Sequence, residues 1–384
     1  MKIDVMTKDK DIKTTVPTLR FREFQNDARW IPNKIDHVCK IGNGRDYKHL
    51  SAGNIPVYGS GGYMTSVDKF LYDGESVCIG RKGTIDKPIF LTGKFWTVDT
   101  LFYTYAFHKC LPKFLYLIFQ QINWYKYNEA GGVPSLLKTT IGNINIFIPN
   151  NENEQKKIVD CFSSLDDLIN AVADKIETLK EYKKGLMQQL FPAEGKTTPA
   201  FRFPEFQNKR EWEESTLGDI CDMQAGKFVS ASEICDVKKD TMYPCYGGNG
   251  LRGYTHSFTH FGIYPLIGRQ GAQCGNITYA EGKFHATEHA VVVTLKKDID
   301  IRWLYYQLIK LNLNQYATGQ AQPGLSVDVI KKVTIRIPKN KNEQQLIACG
   351  LFSVDELIST ETAKLDQLKA HKKGLMQQLF PKLQ

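Results

Sequence analysis

Two short segments of the chain place an arginine between glycines. They are Ile-Gly-Arg-Lys-Gly at 79–83 and Ile-Gly-Arg-Gln-Gly at 267–271. Such a turn can bring backbone amides and a guanidinium close to a phosphate or to the edge of a guanine. A tight hairpin turn that uses glycine only for its shape is the alternative interpretation. The polar residues of the two turns are Arg81, Lys82, Arg269 and Gln270.

Other residues with DNA-binding chemistry recur in both halves of the chain. Tyrosine–glycine pairs open two glycine-rich loops, lysine–phenylalanine pairs occur twice, and two glutamines stand in the loop at 318–326. Glutamine amides can read adenine and lysines can contact phosphates, whereas plain loops are the alternative for the tyrosine segments. The loop at 129–137 has no glutamine, so its readout must differ. The candidates are Tyr58, Tyr63, Lys94, Tyr246, Asn249, Arg252, Lys283, Gln320 and Gln322.

The sequence lacks the motifs of enzymes that act on DNA by themselves. It has no Gly-x-x-x-x-Gly-Lys-Ser/Thr, no Asn-Pro-Pro-aromatic and no Gly-x-Gly-x-x-Gly after a strand. His285 and His289 resemble a zinc motif in spacing, but a histidine pair at a strand end explains them better. The nine cysteines form no Cys-x-x-Cys pair. We therefore expect reduced thiols in a cytosolic protein and no metal site.

The chain is an internal duplication, which sets how these residues are positioned. The decapeptide Lys-Lys-Gly-Leu-Met-Gln-Gln-Leu-Phe-Pro occurs at 183–192 and again at 372–381. A period this long indicates two tandem copies of a whole unit, since a solenoid repeats every 20–50 residues. Further matched segments are LRFREFQN at 19–26 with FRFPEFQN at 201–208, and IFIPNNENEQ at 146–155 with IRIPKNKNEQ at 335–344.

Each copy begins with a globular domain of mixed α/β (α+β) class. Short β-branched runs bounded by glycine and asparagine predict strands. The segments 111–123 and 301–312 have apolar residues at helical spacing and predict one helix per domain. The predicted organisation is a disordered tail at 1–16, domain 1 at 17–150, a long helix at 151–192, a linker at 193–200, domain 2 at 201–340 and a second long helix at 341–384.

The two long helices carry apolar residues at alternating steps of three and four, which is the seam of a coiled coil. Two such helices most simply pair with each other, and an antiparallel pair would relate the two halves by a pseudo-two-fold axis. A helix packed only on its own domain is the alternative. A lysine in the seam is poor for burial, which suggests a role either in docking partner subunits or in closing the two-fold ring of helices and domains. Seam candidates are Ile158, Phe162, Leu165, Ile169, Leu179, Lys183, Leu186, Ile347, Leu351, Ile358, Leu365, Lys372 and Leu375.

The positive charge lies on the globular segments. The net charge of +9 divides into +6 for 17–150 and +3 for 201–340, and the helices are close to neutral. Two basic segments suggest a polyanion such as nucleic acid. No apolar run approaches the ~20 residues of a membrane span, and the first residues do not form a signal peptide. We therefore expect a cytoplasmic protein without a membrane partner.

Taken together, the duplicated Asn-Glu-Gln segment, the decapeptide and the loop Thr-Gly-Gln-Ala-Gln-Pro-Gly-Leu-Ser resemble the specificity subunits of type I restriction-modification systems. The resemblance covers the chain from about Pro17. It implies a non-catalytic DNA-reading subunit in which domains 1 and 2 are target recognition domains. Each would read one half of an asymmetric, bipartite site in double-stranded DNA.

The resemblance also implies partners and cofactors. The paired helices would set the unspecified spacer and dock two modification subunits, which bind S-adenosylmethionine and methylate adenine. Restriction subunits would join for ATP- and Mg-dependent translocation and cleavage, and no cofactor would bind this chain. Two alternatives stay open: a coiled-coil adaptor whose globular ends bind protein, and a self-sufficient DNA methyltransferase or nuclease. The placement of the charge disfavours the first, and the missing motifs disfavour the second.

Overall fold

The chain divides into two compact units, each built around one globular domain. The computed structural model describes residues 15–271, 273–319 and 323–382. Unit 1 comprises Met1–Val172 with Lys364–Gln384, and unit 2 comprises Ala173–Ala363. Each unit therefore contains a domain, the first part of the long helix that follows it and the last part of the other long helix. The predicted tail falls on residues 1–14, which lie outside the described residues, and on Thr15 and Val16.

Domain 1 is a mixed α/β domain whose short strands alternate with glycine-rich turns. Short 3-10 helices lie at Arg22–Phe24 and Trp124–Tyr127. Its elements are β1 Ile31–Lys34, α1 Ile35–Val38, β2 Lys40–Asn43, β3 Ala52–Gly59, β4 Gly62–Val67, β5 Tyr72–Asp73, β6 Ser76–Gly80, β7 Ile89–Leu91, β8 Lys94–Thr97, β9 Leu101–Tyr105, α2 Pro112–Phe119, α3 Lys138–Gly142 and β10 Asn145–Ile148, followed by the long helix α4 Glu152–Leu190.

Domain 2 repeats this order with longer central strands. Its 3-10 helices are Pro204–Phe206, Ala231–Glu233 and Leu313–Tyr316. Its elements are β11 Glu213–Thr216, α5 Leu217–Ile220, β12 Cys221–Ala225, β13 Tyr243–Gly247, β14 Gly250–Thr255, β15 His260–Gly268, β16 Ile277–Ala286, β17 Ala290–Leu295, α6 Ile301–Lys310, α7 Val327–Lys331 and β18 Thr334–Ile337, followed by the long helix α8 Lys341–Leu379. The predicted domain helices are confirmed as α2 and α6.

The sheets of the two domains differ in continuity rather than in order. Unit 2 has a six-stranded sheet, β12-β17-β15-β16-β13-β14, where unit 1 has the four-stranded sheets β2-β9-β6-β7 and β4-β3-β8-β5. In unit 1 the sheet is interrupted at a pair of glycines that separates β5 and β8 from β6 and β7. Gly74 N donates to Gly93 O at 3.1 Å, and both glycines have positive φ. Gly262 and Gly282 pair at the matching position of β15 and β16, also at positive φ, yet those strands continue through the bend.

An aromatic core joins each domain to the long helices. In unit 1 the Trp30 ring packs edge-on against Phe114 and Phe380, with centroids 5.7 and 6.0 Å apart. Phe380 comes from the decapeptide that ends α8. In unit 2 Phe191, from the decapeptide that ends α4, packs between Trp212 and Trp303 at 6.2 Å from each. The end of each long helix is thus part of a domain core.

The predicted antiparallel helix pair is confirmed. Every seam position on α4 and α8 is buried or half-buried. In unit 2 Lys183 of α4 pairs with Asp355 of α8, at 2.6 Å from Nζ to Oδ1, and Lys175 pairs with Glu361. From Lys175 to Lys183 the residue numbers rise along α4, whereas those of their partners fall from Glu361 to Asp355 along α8. The pairing is therefore antiparallel.

The sequence suggested that a lysine is unfavourable to bury in the seam. The structure offsets this cost, because each seam lysine faces an aspartate of the other helix. Lys372 pairs with Asp166 in unit 1, in the same way as Lys183 with Asp355 in unit 2. In unit 2 the hydroxyl of Tyr306 also donates to Asp355 at 2.7 Å. Burial and this hydrogen bond raise the pKa of Tyr306. The lysine therefore has a structural partner within the helix pair.

The Asn-Glu-Gln segment at the start of each long helix anchors that helix to its domain. The buried Glu154 carboxylate accepts hydrogen bonds from Arg20 Nε at 2.7 Å and from Trp30 Nε1 at 3.1 Å. Glu343 accepts the same bonds from Arg202 and Trp212 at 2.7 and 3.1 Å. Hydrogen bonding to Glu154 raises the pKa of the Arg20 guanidinium.

The residues around this glutamate complete the anchor. Asn151 and Asn340 cap the helices, since their Oδ1 atoms accept from backbone amides two residues later at 3.0 and 2.9 Å. The next residue of each motif bonds the backbone before the domain helix: Gln155 Oε1 accepts from Leu111 N at 2.9 Å, and Gln344 Oε1 accepts from Asp300 N at 2.8 Å. The motif therefore fixes the angle at which the helix leaves the domain.

We predict that Glu154→Ala lowers the free energy of unfolding of unit 1 by about 3–5 kcal/mol, because it leaves the buried Arg20 guanidinium without a countercharge. Hydrogen exchange over the first turns of α4 measures the change in unit 1 separately from unit 2. The exposed Glu152→Ala is the control, with an expected change within about 0.5 kcal/mol. Equal protection in the two variants would contradict the anchoring role.

Candidate nucleic-acid interface

Several loops of domain 1 converge at the end of β8, held there by main-chain hydrogen bonds. Arg45 N donates to Thr97 O at 2.8 Å, Val98 N donates to Tyr58 O at 2.9 Å, and Arg81 N donates to Thr100 O at 2.8 Å. These bonds attach the loops 44–48, 59–62 and 80–83 to the loop 98–100. The loop 129–137 joins them, since Gly83 N donates to Pro134 O and Leu136 N to Arg81 O. We call this the loop surface of domain 1.

Domain 2 builds its loop surface with the same bonds. Lys227 N donates to Ala286 O at 2.8 Å, Thr287 N donates to Tyr246 O at 2.9 Å, and Arg269 N donates to His289 O at 3.0 Å. The loops are 226–230, 247–250, 268–271 and 287–289, with the described parts of 318–326. Because the bonds run between main-chain atoms, they do not depend on which side chains the loops carry.

Two matched glycines allow close approaches at the first of these loops in each domain. A Cβ atom on Gly44 would lie 1.9 Å from Val98 O, and one on Gly226 would lie 2.1 Å from Ala286 O. Each glycine directly precedes a cation, Arg45 or Lys227, whose side chain is exposed. These two cations were not among the residues predicted to bind DNA. The signal was present in the sequence, since a glycine followed by a cation recurs 182 residues later. The same offset separates LRFREFQN at 19–26 from FRFPEFQN at 201–208, which we call the entry segments.

The structure gathers most of the predicted DNA-binding residues on these surfaces. Arg81, Lys82, Tyr63, Asn249, Arg252 and Gln270 are exposed there, and Arg269 is half-exposed. Tyr63 has 63% of its surface exposed. The loops enclose a concavity of about 690 Å³ in domain 1, beside Tyr63, and one of about 430 Å³ in domain 2, beside Asn249 and Arg252.

Two of the predicted DNA-binding lysines, Lys94 and Lys283, do not lie on the loop surfaces. Lys94 and Lys283 stand three residues, or ~10 Å, back along their strands from the loop surface. The Lys94 ammonium lies over the Phe70 ring at 5.1 Å, and that of Lys283 over the Phe258 ring at 5.0 Å. A phosphate contact from these lysines stays a prediction. Gln320 and Gln322 lie outside the described residues.

Tyr58 and Tyr246 contribute to the surfaces mainly through their backbone. Both rings are half-buried in small clusters, with Tyr58 packed edge-on against Tyr63 and Tyr246 against Phe284. Burial raises the pKa of the Tyr246 hydroxyl. The carbonyl oxygens of Tyr58 and Tyr246 accept the hydrogen bonds that hold the loops 98–100 and 287–289 in place. Contacts from the two tyrosine rings to bases stay predictions.

The cysteines and histidines offer no metal site within the described part of the chain. All nine cysteines are free, and burial raises the pKa of Cys39, Cys78 and Cys221 to about 12. Thiols of this kind are unreactive. His285 is buried and contacts Ser257 Oγ at 3.0 Å and Lys227 O at 3.1 Å.

No helix among residues 15–271, 273–319 and 323–382 is long and apolar enough to cross a membrane.

A second repeated feature is a groove beside each decapeptide. In unit 1 a groove of about 780 Å³ lies between the end of α8 and the residues after α2. In unit 2 the matching groove of about 400 Å³ lies between the end of α4 and the end of α6. Their matched lining residues are Lys369, Lys372, Lys373, Met376 and Gln377 in unit 1 and Lys180, Lys183, Lys184, Met187 and Gln188 in unit 2.

We predict that Gly44→Ala displaces the Arg45 turn and destabilises domain 1 by about 1–3 kcal/mol, because the new methyl group overlaps the Val98 carbonyl. Thermal unfolding and hydrogen exchange over 44–48 measure the effect. Gly61→Ala is the matched control, since Gly61 lies on the same surface and a Cβ atom there meets no neighbour within 4 Å. An unchanged melting temperature for Gly44→Ala would refute the close approach.

Comparison with known proteins identifies the class. The family model described as "Type I restriction modification DNA specificity domain" matches residues 28–181 and 209–370, which is more than half of the chain. The chain therefore belongs to the family of type I restriction-modification specificity subunits, and the two matched regions correspond to the two halves of the duplication.

Individual relatives agree with the family model. The chain is 39% identical over 172 residues to the type I restriction enzyme EcoprrI specificity subunit of Escherichia coli, a match that covers 44% of this chain and 41% of that protein. It is 27% identical over 351 residues to the MjaVIII specificity subunit of Methanocaldococcus jannaschii, covering 81% and 77%. The chain thus matches less than half of the length of the first relative and about three quarters of the second.

A solved structure shows the same fold. The S subunit of the type I restriction-modification system of M. genitalium superimposes with a TM-score of 0.72 at 18% identity, covering 96% of this chain and all of that one. A chain from a study of complex assembly and conformational transition of the type I system gives a TM-score of 0.50 at 14% identity, covering 91% and 97%. These likenesses concern the fold alone.

Proposed function

We propose that this chain is the non-catalytic DNA-reading subunit of a type I restriction-modification complex, in which each domain reads one half of an asymmetric, bipartite site. One observation carries the proposal: the two loop surfaces have the same main-chain framework but different exposed side chains. A shared framework suits the geometry that both half-sites have in common, and different side chains suit different base sequences.

The exposed residues at matched positions illustrate this. Tyr63 of domain 1 corresponds to Leu251 of domain 2, and Lys82 corresponds to Gln270. The matched cations Arg45 and Lys227 follow the glycines that fix their turns, and both suit phosphate contacts that position the duplex without reading its sequence. Arg81 and Arg269 are suited to guanine, whose O6 and N7 atoms accept two hydrogen bonds from one guanidinium.

The partners follow from the second repeated feature. We propose that each decapeptide groove docks one modification subunit, so that one chain carries two copies of the same partner. Lysines surround an apolar floor that includes Met376 in unit 1 and Met187 in unit 2. This chemistry suits an amphipathic segment with acidic residues. The helix pair would set the unspecified spacer of the site.

The catalytic functions belong in this proposal to the partner subunits. S-adenosylmethionine would bind to the modification subunits, which methylate adenine, and ATP and Mg would act in the restriction subunits during translocation and cleavage. No cofactor is proposed for this chain. The purified chain with S-adenosylmethionine and target DNA should give no turnover.

Genome-wide mapping of methylated adenine tests the proposal as a whole. The chain would be expressed with its modification subunit in a host without other adenine methylation. We expect one asymmetric motif made of two half-sites and a fixed spacer. Methylation without a bipartite motif would refute the division of reading between the two domains.

We predict that Arg81→Ala and Arg269→Ala each weaken DNA binding by the assembled complex, by about 1–3 kcal/mol, and relax the sequence preference at one position of one half-site. Binding titrations against matched and mismatched duplexes measure both effects. Arg29→Ala is the control, because Arg29 is exposed and belongs to the segment before β1 rather than to the loops of the loop surface. If both variants bound and methylated DNA as the original chain does, Arg81 and Arg269 would have no role in DNA contact.

We predict that Lys373→Glu and Lys184→Glu each release one modification subunit, because a reversed charge in one groove repels an acidic partner and leaves the other groove intact. Native mass spectrometry of the complex should show one modification subunit for each single variant and none for the double variant. Lys156→Glu, on the exposed side of α4, is the control. Two bound subunits in both single variants would exclude the grooves as docking sites.

A further inference from the structure

Both loop surfaces carry acidic residues, which phosphate binding does not explain, and one of these residues stands at the same place in each domain. The loop after β8 reads Val98-Asp99-Thr100, and the loop after β16 reads Thr287-Glu288-His289. Because DNA phosphates are negative, a carboxylate on a phosphate-binding face is repelled by them. Its presence in both domains calls for a different contact.

The two acidic residues belong to the central loop of each surface. In domain 1 the loop 98–100 bonds the turns that carry Arg45 and Arg81, and Asp99 lines the concavity. Arg81 Nη1 lies 3.5 Å from the backbone oxygen of Asp99. In domain 2 the loop 287–289 takes the same place, and His289, the neighbour of Glu288, lines the concavity. Each acid therefore stands beside the arginine proposed to contact guanine.

Neither carboxylate has its hydrogen-bonding capacity met by the described part of the protein. The exposed Asp99 side chain forms no ion pair there. Glu288 Oε1 contacts His289 Nε2 at 3.2 Å, whereas Glu288 Oε2 is buried without a hydrogen-bond partner. An unmet buried acceptor is costly in a folded protein. A donor that arrives with the DNA would relieve this cost after a small rotation of the side chain.

The base edges in the major groove of DNA decide which hydrogen-bond donor a carboxylate can contact. A carboxylate only accepts hydrogen bonds, so it suits the exocyclic amino groups of cytosine and adenine. At adenine the N7 acceptor lies beside the amino group on the same base and would repel a carboxylate, whereas the edge of cytosine itself carries no acceptor beside its N4 amino group. In the same C·G pair the guanine offers O6 and N7 to a neighbouring arginine.

We propose that Asp99 and Glu288 are specificity-determining residues, each of which accepts a hydrogen bond from the N4 amino group of a cytosine in the half-site read by its own domain. The proposal rests on the proposed function, since it names the chemistry by which the loop surfaces read DNA. It assigns each half-site at least one C·G pair that lies against the centre of the loop surface.

The test uses the full chain with its modification subunit and the genome-wide methylation mapping described above. Asp99→Asn and Glu288→Gln keep the side-chain shape but present one acceptor and one donor, which together match the N6 and N7 atoms of adenine, so cytosine should lose its advantage. Each variant should lose its preference for cytosine at one position of one half-site. Methylation at sites with another base there should rise roughly tenfold to a hundredfold relative to the original site. The other half-site and the spacer should stay unchanged.

The controls separate base reading from other roles. Glu281→Gln, an exposed carboxylate on β16 of the same domain, should leave the motif unaltered. An unaltered motif in both Asp99→Asn and Glu288→Gln would overturn the inference, and so would tighter binding to all DNA without a change of motif. A wild-type half-site without a C·G pair would overturn it for that domain. If the wild-type chain directed no bipartite motif at all, the proposed function itself would fail.

Discussion

The buried carboxylate at the start of each long helix is the interaction on which the rest of the structure depends. Glu154 and Glu343 join three parts that are distant in sequence: the entry segment through an arginine, the domain core through a tryptophan, and the long helix to which they belong. A buried ion pair contributes little net stability compared with apolar groups, but it tolerates few geometries because an unpaired charge is so costly. The pair therefore specifies one angle between helix and domain.

The helix pair uses the same physics to specify its register. The seam lysine of each long helix pairs with an aspartate of the other helix: Lys183 with Asp355 in unit 2 and Lys372 with Asp166 in unit 1. A purely apolar seam permits sliding by a heptad, whereas a slip would separate these charges inside a half-buried interface. The decapeptide contributes the lysine to this pairing and its phenylalanine to a domain core. Its identity in both halves therefore has a structural cause in addition to any partner subunit.

Much of this architecture could be predicted from the sequence because its signals are local or repeated. The seam follows a 3.5-residue period, and the duplication displays each element twice. The loop surfaces were only partly predictable, since their cations are brought together by main-chain bonds between distant segments. Arg45 and Lys227 have no local pattern beyond a preceding glycine, and Asp99 and Glu288 differ in size and neighbours. Lys94 and Lys283 recur in sequence, yet the direction of their strands places them away from the loops.

The way the loops are held explains how one framework can present two different sets of exposed side chains. If side-chain contacts fixed the loops, each change of exposed residue would disturb the surface that presents it. Here the positions of Arg81 and Arg269 depend on bonds between backbone amides and carbonyls and on glycines that permit close approach. A substitution at an exposed position then changes the contact offered to DNA and leaves the framework in place. The glycines and the main-chain bonds are therefore the constrained part of the surface, and the side chains between them are the part that is free to differ.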